Sequence, residues 1–188
     1  MNTAHEIIIA GFGGQGVLSM GQIIVYAAMK EGKEVSWMPS YGPEMRGGTA
    51  NCVVIVSQSR ISSPIVSKFD SAIILNQPSM DKFAGHVKPG GLILLERSSV
   101  ITPSSRTDIE EFGIDAVEEA HTLGKKQVAN MIMLGAFLQL RPLVKPESVL
   151  KALKEVLPER HHHLLPLNEQ ALLKGKQIAL EAMFENAV

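Results

Sequence analysis

One cysteine, Cys52, stands among 188 residues. A single thiol excludes an internal disulfide. It also excludes a self-contained four-cysteine iron–sulfur cluster or zinc site. Cys52 lies in an apolar run, which marks a buried structural thiol and not a nucleophile, and a cytoplasmic location follows. No sign of charge dominates: Lys plus Arg is 18 and Asp plus Glu is 19. Without a basic excess there is no footprint for nucleic acid, and no charged tail is present. Long hydrophobic runs are missing too. The longest, residues 128–140, is too short to span a bilayer and contains Asn130, so no membrane partner is expected. No charged leader with an apolar core precedes the first strand, so no signal peptide is expected.

Catalytic constellations are equally scarce. The chain has no G-x-S-x-G elbow, no H-E-x-x-H, no Walker A lysine and no thiamine-type Gly-Asp-Gly segment. No pair of residues makes an acid–base dyad, so no catalytic residue is assigned. His161, His162 and His163 are adjacent in a connector, where three imidazoles cannot all face one ion, and they read as a solvated loop and not a metal site. The chain therefore looks like a binding partner in a catalytic assembly, inactive alone.

What is present centres on residues 6–16, Glu-Ile-Ile-Ile-Ala-Gly-Phe-Gly-Gly-Gln-Gly. Ile7, Ile8 and Ile9 predict a short buried strand. Gly11, Gly13 and Gly16 fall at G-x-G-x-x-G spacing, with Gly14 and Gln15 between them. Val17, Gly21, Ile24 and Ala28 then share one helical face. Strand, glycine turn and helix are the setting in which backbone N–H groups and a helix dipole can hold a phosphate. A tight crossover with no ligand has the same local pattern. A dinucleotide site also needs an acid about 20 residues further on, at the end of the second strand. Here Glu34 lies at that strand's start, and its far end is Pro39, Ser40 and Tyr41. The phosphate half of the fingerprint is present and the ribose half is not.

A hydrophobic content of 45% and a charged content of 20% suit one domain, residues 1–188, with a real core. The first helix is expected over residues 16–31, stopped by Gly32, and the second strand over 35–38. Residues 39–49 read as a loop, with three glycines and two prolines. The loop carries Ser40, Tyr41, Arg46, Gly47 and Thr49, able to meet phosphate or carboxylate; pairing of Arg46 with Glu44 is the alternative. Residues 50–57 predict a strand, with 61–66 as its hairpin partner. Residues 70–75 and 92–96 are further strands around a short helix from Pro78, with 88–91 as a turn. A surface excursion over 97–111 leads to an edge strand over 113–117 and a turn over 120–123. Helices are expected over 125–140 and 146–157. Asn168 caps a last helix reaching about residue 184. The helix over 125–140 is apolar on nearly every side, so it belongs in the core or at a subunit interface. The sum is an α/β fold: a three-layer α/β/α, Rossmann-like domain with a mainly parallel, mixed sheet.

Several segments together resemble the gamma subunit of 2-oxoacid:ferredoxin oxidoreductases. These are the glycine loop at residues 11–16 and Ser40-Tyr41-Gly42-Pro43-Glu44-Met45-Arg46-Gly47-Gly48-Thr49-Ala50. Val128 to Gly135, which includes Asn130, and the spaced Asn168, Ala171 and Gly175 add to them. The resemblance covers nearly the whole chain, and the Tyr-Gly-Pro-Glu-Met-Arg-Gly-Gly segment is its specific part. It implies an assembly that decarboxylates a 2-oxoacid on thiamine diphosphate, reduces ferredoxin through [4Fe-4S] clusters and forms an acyl-CoA. Alpha, beta and ferredoxin-like delta subunits hold the thiamine and the clusters. The gamma unit is implicated in binding coenzyme A and covering the active site. The implied contact residues are Gly11, Gly13, Gly14, Gln15, Gly16, Ser40, Tyr41, Arg46, Gly47, Thr49 and Asn130. The 2-oxoacid stays open among pyruvate, 2-oxoglutarate, branched-chain and aryl acids. A free-standing NAD- or FAD-binding oxidoreductase and a purely structural scaffold subunit are the competing readings.

Overall fold

The computed structural model describes residues 4–41 and 48–185. Six strands form one sheet in the order β2-β3-β1-β4-β5-β6. β1 (Ala4–Phe12), β4 (Phe69–Ile74), β5 (Val87–Glu96) and β6 (Glu110–Ile114) run parallel. β3 (Thr49–Ser57) is antiparallel to both its neighbours, β1 and β2 (Glu34–Tyr41). The sheet is thus mixed and mainly parallel, as the alternation of β-branched runs with helical patterns requires.

The period-2 alternation of the strands divides the core. Ile7, Ile9, Cys52, Val54, Ile73, Leu92 and Leu94 face one side. There they meet α1 (Val17–Lys30), α3 (Ala116–Thr122), α4 (Ala129–Leu140), α5 (Pro146–Val156) and α6 (Leu165–Glu185). Ile8, Ala10, Ala72, Ile74, Ile93 and Leu95 face the other side. They are covered by α2 (Gln77–Phe83) through Met80 and Phe83, and by Val66, Val100 and Ile109 from irregular segments. The three layers are therefore present, with most helical mass on one face. α4 is buried from Met131 to Phe137, held between the sheet and α6, so its all-round apolarity serves the core of this chain.

Several expectations need correction. Residues 61–66 form no strand; the hairpin partner of β3 is β2, which runs on through Pro39 to Tyr41. Pro39 is tolerated because β2 is an edge strand, where a residue can turn its backbone nitrogen to the open side of the sheet. Lys88-Pro89-Gly90-Gly91 belongs to β5, and the last parallel strand begins at Glu110, three residues early. Residues 120–123 belong largely to α3, whose short apolar face is only Ala116 and Ala120. α4 begins at Ala129, after a 3-10 turn over Lys126–Val128. Asn168 caps nothing. It lies inside α6, buried, where its Nδ2 donates to the Leu164 carbonyl at 2.8 Å.

Candidate phosphate site at the carboxyl rim of the sheet

β1 leads into α1 on one face of the sheet, while β4 leads into α2 on the other. Between the carboxyl ends of β1 and β4 the connections diverge, and such a switch point is where open α/β sheets bind ligands. The glycine loop occupies it. Gly16 takes the left-handed conformation, φ 80, as the N-cap of α1, and Gly14 has φ 94. Gly16 supplies no side-chain cap, and no acid sits in the first turn. The N–H groups of Val17, Leu18 and Ser19 are left without intrahelical partners, and the positive end of a 14-residue helix lies behind them.

Gln15 fastens this loop. Its Oε1 accepts from the Phe12 N–H at 2.6 Å, and its Nε2 donates to the Leu75 carbonyl at 3.2 Å, joining the ends of β1 and β4. Gly11 makes room for that clamp: a Cβ there would stand 2.6 Å from Gln15 Oε1 and 2.9 Å from Leu75 Cβ. On the opposite flank the Gly13 N–H donates to the Gly48 carbonyl at 2.9 Å. A cleft of about 480 Å³ opens there, walled by Gly13, Gly14, Leu18, Ser19, Gly48 and Thr49.

The sequence candidates fall into three groups. Gly13, Gly14, Gly16 and Thr49 line this cleft directly, while Gly11 and Gln15 shape the loop from below. Ser40 is exposed and pairs with Asn51, and the backbone of Tyr41 pairs with Ala50, so the end of β2 and the start of β3 lie at the same rim. Arg46 and Gly47 lie outside the described residues. The two loops do not leave adjacent strands, because β3 stands between β1 and β2. Asn130, in the first turn of α4, abuts the N-cap of α1: a Cβ on Gly16 would fall 2.7 Å from Asn130 Cγ. Asn130 opens not on the first cleft but on two others, one of about 800 Å³ shared with Ser19, Gln22 and His163, and one of about 240 Å³ shared with Gly14 and Gln15. Sequence reasoning missed Leu18, Ser19 and Gly48. The signal for the first two was their place in the turn right after the glycines.

Glu34 pairs with Ser57 at the opposite rim, so it cannot reach a ribose held near the glycine loop. Cys52 is buried and its thiol donates toward the Val17 carbonyl at 3.6 Å; burial pushes its pKa up to about 12. The histidine triplet lies in a 3-10 turn, Glu159–Leu164, with His162 bonded to the Leu157 carbonyl and His163 to that of Arg160.

Residues 6–178 match the family described as pyruvate ferredoxin/flavodoxin oxidoreductase. This chain belongs to that family. It is 35% identical over 179 residues to the 2-oxoglutarate synthase subunit KorC of Methanocaldococcus jannaschii, covering 94% of both chains. It is 41% identical over 177 residues to the ketoisovalerate oxidoreductase subunit VorA of Methanothermobacter thermautotrophicus, covering 94% of this chain and 36% of that relative. The chain therefore spans about a third of the length of the VorA relatives it matches. Among solved structures, the gamma subunit of a keto/oxoacid ferredoxin oxidoreductase from Geobacter sulfurreducens superposes with a TM-score of 0.80 at 30% identity. That match covers 94% of this chain and 99% of the gamma subunit. Gly175 has a physical meaning here, because α6 crosses α4 closely at that residue and at Gly135.

Proposed function

We propose that this chain is the gamma-type unit of a 2-oxoacid:ferredoxin oxidoreductase, where it supplies a phosphate-binding surface for coenzyme A and helps close the active site. The observation that carries the reading is the first turn of α1, whose uncapped N–H groups open on a cleft between the glycine loop and the start of β3. In this reading those N–H groups bind a phosphate of coenzyme A, Gln15 orients the loop, and Arg46 adds a charge-assisted contact. Asn130 holds the start of α1 in place from the side of α4.

The names of the KorC and VorA relatives support a 2-oxoacid as the substrate of the assembly and leave 2-oxoglutarate and branched-chain acids both open. Thiamine diphosphate and [4Fe-4S] clusters fall to alpha, beta and ferredoxin-like delta partners. The residues here do not fit a cluster: the one thiol is buried and hard to ionise. Among the described residues no group of three or more His, Cys, Asp or Glu side chains is placed to hold a metal. A cytoplasmic location belongs to the same reading; among the described residues no helix is long and apolar enough to cross a membrane.

Arg46→Ala in the assembled complex tests the site. Loss of a contact made equally in the ground and transition states raises KM for coenzyme A about tenfold per 1.4 kcal/mol, with assembly intact. A complex that falls apart, while its surviving fraction keeps its dependence on coenzyme A, would favour a scaffold role and sink the phosphate reading.

A further inference from the structure

Leu92, Leu94 and Glu96 alternate along β5 toward the face that carries α4. The first two belong to the core. The third is a carboxylic acid with only 2% of its surface exposed. Ala10 lies beside Ile74 and Ile74 beside Leu95, so the next residues, Gly11, Leu75 and Glu96, form one row across the carboxyl rim. Glu96 is thus two strands from the glycine loop, on the same rim.

Its carboxyl group is poorly served. Ser98 Oγ donates to Oε2 at 2.7 Å, and the Val117 N–H reaches Oε1 only at 3.4 Å. Among the described residues no cation pairs with it; the adjacent Arg97 turns to Asp115 and the Gly113 carbonyl instead. A carboxylate has about four acceptor positions, and a buried one left so open is unfavourable unless something else donates to it.

The cavity of about 240 Å³ lies directly over this group. Glu96 and Leu75 line it on the sheet side, Gly14 and Gln15 come from the loop, and Asn130 and Met133 from α4. The apolar parts suit the flat face of a ring, and Lys126, which also lines the cavity, disfavours a cationic guest. The cavity shares Gly14 with the phosphate cleft.

We propose that Glu96 accepts a hydrogen bond from an uncharged N–H or O–H of the ligand whose phosphate lies on the first turn of α1. The donor is the exocyclic amine of a purine or a ribose hydroxyl. Glu96 then does from the end of β5 what dinucleotide sites do with an acid at the end of the second strand. This rests on the phosphate reading above.

The assembled enzyme is titrated calorimetrically with coenzyme A, with its hypoxanthine counterpart and with its 2′-deoxy counterpart, for the wild type and for Glu96→Gln. One analogue binds the wild type about tenfold or more weakly than coenzyme A, and Glu96→Gln narrows that gap. Weak hypoxanthine binding assigns the amine; weak deoxy binding assigns the hydroxyl. Equal affinity of all three ligands for the wild type overturns the role of Glu96 and leaves the phosphate site standing. An unchanged gap in the variant overturns it too. No binding of coenzyme A to the wild type overturns both readings. Where Glu96→Gln does not fold, Glu96→Asp, which withdraws the carboxylate by one methylene, is read by the same narrowing.

Discussion

Gly175 of α6 lies against the backbone of Ile132 in α4: a Cβ on Gly175 would fall inside the Ile132 carbonyl and 2.9 Å from the Ala136 nitrogen. Gly135 meets the Leu172 carbonyl from the other helix in the same way. The two helices cross backbone to backbone, which is possible only where both lack a side chain. Neither carbonyl can swing aside without losing its helical hydrogen bond.

Gly175→Ala is therefore expected to cost about 3 kcal/mol, the upper end for overpacking. That lowers Tm by roughly 6–12 °C for a domain of this size. Gly85→Ala is the control, since nothing lies within 4 Å of a Cβ there and its φ is not positive. A melt of the Gly175 variant that matches the control would show that α4 and α6 can part without cost.

The elements that sequence reasoning placed well are those whose signal is local. Ile7 to Ile9 and Cys52 to Val56 are continuous apolar runs, and Pro146 and Pro78 mark helix starts by fixing φ. The misplaced ones depend on partners far along the chain. Pro39 to Tyr41 looks like a loop until β3 pairs with it from Asn51 and Ala50. Pro89 and Gly90 look like a turn, yet β5 carries on through them. α3 has too few apolar residues to show a period. At the site, the glycine spacing and the following helix were legible, because both lie within a few residues. Glu96 was not, because an acid ending an apolar run reads as a strand terminus. Only the row formed with Gly11 and Leu75 shows that it is buried beside the loop.

His5, at the start of β1, has its Nε2 2.9 Å from Ser71 Oγ. Burial lowers its pKa from 6.5, with nearby Asp70 opposing and Arg141 and Lys88 assisting. The native state therefore favours the neutral ring, while the unfolded chain takes up a proton near pH 6.5. This contribution to stability is full above that pH and is lost as the pH falls toward the lower native value. Urea midpoints at pH 7.5 and 5.5 should show the wild type losing stability over this window and His5→Gln losing less. Glu31 does not confuse the comparison. Burial raises its pKa, but hydrogen bonds from Lys33, the Lys145 N–H and Ser148 outweigh that and hold it below 4.5. Equal losses in the two proteins would remove His5 as the source.

Gln15 separates two roles for the glycine loop, holding its shape and holding a phosphate. Its carbonyl oxygen serves the Phe12 N–H and its amide nitrogen serves the Leu75 carbonyl, each bond being worth about 0.5–1.5 kcal/mol net. Gln15→Ala removes both and loosens the loop, so KM for coenzyme A should rise up to about tenfold in the assembled enzyme. Gln15→Glu keeps the acceptor for Phe12. On shape alone it should therefore be the milder change. With a phosphate on the loop it should be the harsher one, because it sets a negative charge beside the anion. The prediction is that KM rises more for Glu than for Ala, and that added salt reduces the difference by screening. The reverse order would leave Gln15 as a clamp only and would remove the anion from the loop.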